Sequence, residues 1–335
     1  MEDPTRAKTL GASTAYEGTR SPMLDTLDGV IEPDIKEEGI KCLASSSHPI
    51  ITINMNGKNH GKGTTSNRRH LTASFLRHSS ASVIFCQEVP KKFKTEVVEK
   101  CYGDYDYAVT GEESAVMWRL KDFDGDPVQG TEKSITKIVE NLQKEKSEVD
   151  VSEVRTRTAM VKLRNRRTGA SFLAVSWHGR WVPSKDTKLK TFHGLICFLD
   201  EVCNMEKLRS FIIGGDFNFD TRLISEDVQS KYGITISSYD LCSRDKKRPA
   251  TRPGRNFVPY KDNFITSVTI PSDVTVYWVE PCDLENESNE NALLDHVPVV
   301  ATLKLDRLVR TKPFIKQDSR GKLEQHFLSH TFLLT

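Results

Sequence analysis

Along this chain, apolar runs of strand length end directly on a polar or ionisable side chain. The run "PIITIN" leads into Asn54 and Asn56, "VIFCQ" into Glu88, "FLAVSW" into His178, and "FIIGG" into Asp216 and Asn218. Asp295 and His296 stand at the head of "VPVVATLKL", and Asp262 introduces "NFITSVTI". Glycine, asparagine and aspartate are the ordinary punctuation of loops, so each of these positions taken singly reads as a turn residue, a cap or a solvated carboxylate. Taken together they read differently. Strand ends on one edge of a sheet converge into one site, because the scaffold fixes position while the edge loops supply exposure.

The segments between these strands fit an α/β chain. "HLTASFLRHSS" and "LKTFHGLICFLDEVCNM" carry apolar residues at helical spacing, and "RTAMVKLRNRRTGASFLAVSWHG" reads as a hairpin of strands 158–163 and 171–176 around a basic turn at Gly169. "TEKSITKIVENLQKEKSEVD" has a helical period in Ile135, Ile138 and Leu142, and its charge marks a surface insertion. "YKDNFITSVTI", "VTVYWVE" and "HVPVVATLKL" are late strands. Residues 1–48 mix Gly, Ser, Thr, Pro and charge without an apolar period and are expected to be a flexible leader. Residues 49–306 are expected to make one domain and 307–335 a polar, basic tail.

Charge decides little: 48 basic and 46 acidic side chains leave a net +2, which neither requires nor excludes a nucleic-acid partner. The seven cysteines are scattered, with no C-x-x-C spacing, so neither a disulfide framework nor a zinc knuckle is expected. Their use as small core residues fits a reducing compartment. No stretch has the uninterrupted apolar length of a secretory signal or a membrane span, so a soluble protein of the cytoplasm or nucleus is expected. "GKNHGKGTT" resembles a phosphate-binding P-loop but fails it, because three residues rather than four follow Gly57 and Gly63 replaces the required Ser or Thr. His326 and His330 lie four apart without the adjacent glutamate of a zinc motif.

The polar residues at the strand ends suit phosphoester chemistry. A hard cation such as Mg²⁺ takes one or two carboxylates together with waters and phosphate oxygens, which Glu88 and Asp295 can offer. Two histidines and an Asp-Asn pair then remain to hold a phosphate and orient a water. "TINMNG", "FCQEV", "SWHG", "GGDFN", "YKDNFI" and "LLDHVPV" stand in the order seen in the endonuclease/exonuclease/phosphatase superfamily, which the chain resembles from Ile51 to Leu305. The resemblance implies a four-layer α/β sandwich, two mixed β-sheets packed face to face with helices outside.

It also implies a set of roles. Asn54 matches the first asparagine of the family and Asn56 the metal-side polar residue; Glu88 and Asp295 match the metal-binding carboxylates. His178 matches the histidine that contacts the scissile phosphate, with Glu112 or Glu113 as its partner. Asp216 and Asn218 match the pair that orients the attacking water, Asp216 being the proton acceptor because an amide cannot be one. His296 matches the histidine beside Asp295, oriented by Asp262. Arg180 and Lys185 follow His178 and are expected to grip substrate, whereas Trp181 can stack on a base or pack in the core, the core being preferred. The implied activity is Mg²⁺-dependent phosphodiester hydrolysis, with Mn²⁺ as an alternative metal and nucleic acid as first-choice substrate. A phosphoinositide or phospholipid is the second substrate class, and a non-catalytic binding protein the third reading. Two departures, Leu294 before the final Asp-His and Asn263 after Asp262, touch no assigned ligand or base.

Overall fold

The computed structural model describes residues 47–55, 72–128, 132–237, 260–267, 272–276, 296–305, 316–317 and 323–324, apart from single positions within them (74, 102, 111, 112, 147, 183 and 297). All of these belong to one unit, Pro33–Thr335; the unit Met1–Glu32 and residues 33–46 lie outside the described residues, whereas Ser47 and His48, the last two positions of the expected leader, open the first strand.

Two six-stranded sheets form the centre. The first contains β1 (Ser47–Asn54), β2 (Val83–Gln87), β3 (Tyr105–Thr110) and β4 (Ser114–Arg119). The second begins with β5 (Phe123–Pro127), β6 (Thr158–Asn165), β7 (Ser171–His178) and β8 (Phe211–Asp216), then adds β9 (Thr235–Ile236) and β10 (Asp262–Thr266). The chain then returns to the first sheet with β11 (Ser272–Val276) and β12 (Val299–Lys304). The spatial orders are β11-β12-β1-β2-β4-β3 and β5-β6-β7-β8-β10-β9. Each sheet is mixed: β1 with β2 and β7 with β8 run parallel, and the remaining pairings are antiparallel. In the tail, β13 (Lys316–Gln317) pairs with β14 (Leu323–Glu324).

Alternation along the strands explains the layering. On β7, Phe172 and Ala174 enter the core between the sheets with Phe85, Val116, Ile212 and Phe264. Their neighbours Leu173, Val175 and Trp177 face outward onto Phe192, Leu195 and Phe198 of the long second helix. On the other outer face, Ile51, Ile53, Ile84 and Met117 pack with Phe75 and Leu76 of a helical stretch and with Phe93 and Val97. Both sheets are therefore covered by helical segments.

The charged insertion is helix α1 (Glu132–Glu145), whose Ile135, Ile138 and Leu142 pack on the same outer core. Helix α2 runs Lys185–Met205, starting four residues before its apolar period; Ser184 caps it by accepting from the Thr187 N–H at 3.3 Å. A shorter α3 (Glu226–Tyr232) follows β8 and ends on Gly233 with φ +60°. Among the described residues no helix is long and apolar enough to cross a membrane. Cys86, Cys101, Cys197 and Cys203 are buried and form no disulfide.

Candidate active site

Strand register brings the polar strand ends level. His178 pairs with Asp216 across β7 and β8, Asp216 with Asp262 across β8 and β10, and Asn54 with Gln87 across β1 and β2. The first sheet thus contributes Asn54 and Glu88, and the second contributes His178, Asp216, Asn218 and Asp262. Side-chain bonds close the gap between them: Asn54 Nδ2 donates to Glu88 Oε1 and to Asp216 Oδ2, each at 3.2 Å.

Beneath this junction Gln87, fully buried, reaches from the first sheet to the second. Its Nε2 donates to Ser176 Oγ at 3.0 Å and to the Gly214 carbonyl at 3.2 Å, while its Oε1 accepts from Thr52 Oγ1 at 3.4 Å. Gly214 and Gly215 belong to β8 itself. A Cβ on Gly214 would meet the Phe85 ring at 2.5 Å and one on Gly215 the Trp177 carbonyl at 2.4 Å, so these glycines serve the packing of the sheets.

Two histidine–carboxylate pairs face each other across Asp216. His178 Nδ1 donates to Glu113 Oε2 at 2.6 Å and its Nε2 lies 3.5 Å from Glu88 Oε1. His296 Nδ1 donates to Asp262 Oδ2 at 2.7 Å and stands 3.8 Å from Asp216 Oδ2. Glu113 is therefore the partner between the two alternatives of the sequence; Glu112 lies outside the described residues. The backbone explains this: the Glu88 N–H donates to the Glu113 carbonyl at 2.9 Å, drawing the β3–β4 turn beside the end of β2. Arg157, which no pattern in the sequence marked, donates from Nη1 to Glu113 Oε2 and to the His178 carbonyl, each at 3.4 Å, and from Nε to Glu153 Oε2 at 2.8 Å.

Asp216 is 1% exposed, and both of its oxygens accept hydrogen bonds, Oδ1 from the Asn218 N–H at 2.8 Å. Burial pushes its carboxyl up, but the charges of His296, Lys261 and His178 and the Asn218 N–H outweigh that and hold it below the usual carboxylate range. Burial and the charge of Asp216 raise the carboxyl of Asp262 in spite of His296. Asn218 donates from Nδ2 to the Gly179 carbonyl at 2.7 Å, which fixes the orientation of its amide. Glu88 and Asn218 both adopt left-handed backbone, with φ of +47° and +56°. For residues other than glycine such conformations cost about 1–3 kcal/mol and gather at functional sites.

Asn56 and Asp295 lie outside the described residues, so of the metal-side residues Glu88 is the one whose place is given. Its carboxylate, 26% exposed and linked to Asp216 through Asn54 Nδ2, is a hard oxygen donor of the kind Mg²⁺ takes. Ligand atoms of Asp216, Asp262 and His296 also lie within 4.8 Å of one another. There, however, the His296 Nδ1 atom carries the proton donated to Asp262 and offers that atom to no metal, so the Glu88 side fits a hard cation better.

The remaining expectations divide. Arg180 is at the flank of the site, its Nε 3.4 Å from Glu153 Oε1. Lys185 is exposed in the first turn of α2; the cation of that turn that reaches the site is Lys188, donating from Nζ to the Asn218 carbonyl at 2.8 Å. Trp181 is 75% exposed, which corrects the preference for the core.

No protein-family model matches the sequence, and no curated protein matches it. Solved structures do match. The chain is similar to the catalytic domain of human Nocturnin with a bound sulfate anion, at 14% identity over 77% of this chain and 94% of that one, with a TM-score of 0.51. It is similar to truncated TDP2 of Caenorhabditis elegans at 13% identity over 76% and 97%, with a TM-score of 0.50. At these identities the likeness establishes the fold alone, the two-sheet α/β sandwich that the sequence resemblance implied.

Proposed function

We propose that this protein is a divalent-metal-dependent phosphodiesterase and, within that class, a nuclease. The observation that carries the reading is the buried Asp216, held ionised and level with the His178–Glu113 pair on one side and the His296–Asp262 pair on the other. In-line cleavage of a phosphodiester needs a base for the attacking water, donors for the charge that develops on phosphorus oxygens, and a neutralising cation.

Asp216 accepts the proton of the water, and Asn218, its amide fixed by Gly179, orients that water beside it. His178 and His296 donate to the phosphate oxygens from Nε2, since Nδ1 of each is committed to its carboxylate. Glu88, with Asp295 and Asn56, would hold the metal, which when bound supplies Lewis-acid polarisation of the phosphate. Nocturnin and TDP2 share the fold, and the choice of nucleic acid over other diesters rests on the resemblance of "NMNG" to the exonuclease III type. The exposed Trp181 favours a second reading, a phospholipid or phosphoinositide diesterase that rests an indole on the lipid surface. A binding protein without catalysis has no use for an ionised base between two oriented histidines.

The test is cleavage of labelled single-stranded and duplex DNA, RNA and a soluble phosphoinositide with Mg²⁺, wild type beside Asp216→Asn. Loss of a general base lowers turnover about 10²–10⁴-fold, and EDTA abolishes it. Equal rates for the variant and the wild type would falsify the catalytic assignment.

A further inference from the structure

The second sheet sets out its cations in strand order. On the β6 side, Arg180 leaves the end of β7 and leans to Glu153, just ahead of β6. In the centre stand His178, Asp216 and Asn218. Beyond them Lys188 of α2 binds the Asn218 carbonyl, and Lys261, the residue before β10, places its charge on Asp216, Asp262 and Lys188 alike. The Lys188 ammonium is disfavoured by burial first and then by the charge of Lys261, with Asp216 opposing both. Geometry sets both lysines at the loop that carries Asp216 and Asn218: Lys188 Nζ donates to the Asn218 carbonyl at 2.8 Å, and the Lys261 carbonyl accepts from the Phe217 N–H at 2.7 Å. Two cations on one loop favour a bound polyanion.

Resting on the phosphodiesterase reading above, we propose that Lys188 and Lys261 form a phosphate subsite on the β10 side of the scissile position, with Arg180 on the β6 side, so that the substrate is a nucleic-acid strand. The order β6-β7-β8-β10 contains three strand gaps, about 14 Å at ~4.8 Å per gap. A nucleic-acid strand carries a charge about every 3.4 Å of helix axis, so the bracket spans more than one phosphate. A diester with a single phosphate cannot fill both sides of this bracket.

The experiment compares wild type with Lys188→Gln/Lys261→Gln on a fluorescent single-stranded 12-mer and on bis(p-nitrophenyl) phosphate, which has one phosphate. The ratio of kcat/KM on the 12-mer to that on the ester is expected to fall at least tenfold, chiefly through KM. Anisotropy of the same 12-mer in EDTA gives a second readout: the slope of log K against log salt becomes shallower by about 1.4, at ~0.7 per lost contact with a single strand. Lys304→Gln, an exposed lysine where β12 pairs with the start of β1 and away from the site, leaves both readouts unchanged.

Equal losses on the two substrates, no loss on either, or the same change in Lys304→Gln overturns the subsite. So does a larger loss on vesicles containing phosphatidylinositol bisphosphate than on the 12-mer. If the wild type turns over no diester, the phosphodiesterase reading falls, and the salt slope in EDTA still decides the subsite.

Discussion

At the scale of the residue, Glu113 shows what the sequence carries and what it withholds. "TGEES" offers two adjacent glutamates, and strand alternation allows either to face the site. The choice is made by the Glu88–Glu113 backbone bond and by Arg157, which shares Glu113 Oε2 with His178. Neither contact is legible locally, because each joins segments far apart in the chain. Arg157→Gln is expected to lower kcat about tenfold with little change in KM, since a hydrogen bond to a charged group contributes ~1.5–3 kcal/mol and only part of it acts on His178. Arg157→Lys restores part of the loss if the guanidinium serves to hold Glu113. A rise in KM with kcat intact would instead place Arg157 among substrate contacts. Lys188 was missed for a related reason: a lysine in the first turn of a helix looks solvated until the loop that it reaches is known.

At the scale of the element, the strands and helices followed from apolar periodicity because alternate residues of β7 and β8 do face different cores. The start of α2 did not, since its first turn is capped by Ser184 and presents charge without apolar side chains. Gln87 is the other element-scale feature. At the end of the run "VIFCQ" nothing local marks it, yet it is the buried tie between β2 and the pair β7 and β8. Gln87→Leu strips the Gly214 carbonyl of this donor, which costs about 1–3 kcal/mol, or roughly 2–10 °C in Tm for a domain of this size. Thermal unfolding measures that directly. A Tm within 1 °C of wild type would mean that the amide is dispensable.

At the scale of the whole molecule, the two-sheet architecture was legible in the order of the motifs, whereas the bonds at the end away from the site were not. There His48 links the sheets. Asn165 Oδ1 already accepts from Arg167 N, Thr168 N and Thr168 Oγ1, so its Nδ2 donates to His48 Nε2 at 3.1 Å. Ser82 Oγ gives its proton to Asp122 at 2.7 Å and so accepts from His48 Nδ1 at 3.2 Å. The ring is neutral by this count, and burial first, then the charges of Arg167 and Arg119 against that of Asp122, holds its pKa below the usual 6.5. His193 is lowered too, by burial and Lys231 against Glu148. The unfolded chain therefore takes up these protons first as pH falls. Their contribution to stability is fully present above about pH 6.5 and is lost below it. Urea denaturation at pH 7.5, 6.5 and 5.5 checks the sign, and His48→Gln should flatten the decline; an unchanged slope would remove His48 from the account.

The bond from Asn54 to Asp216 spans 162 positions of sequence, and this has a kinetic meaning. Local contacts such as the turns of α2 form early, whereas pairings between remote segments wait for the entropy of large loops to be overcome. During refolding from denaturant the far-ultraviolet helical signal should therefore recover before catalysis does, and the lag between them times the meeting of the two sheets. A chain caught between these events is folded to circular dichroism and silent to substrate.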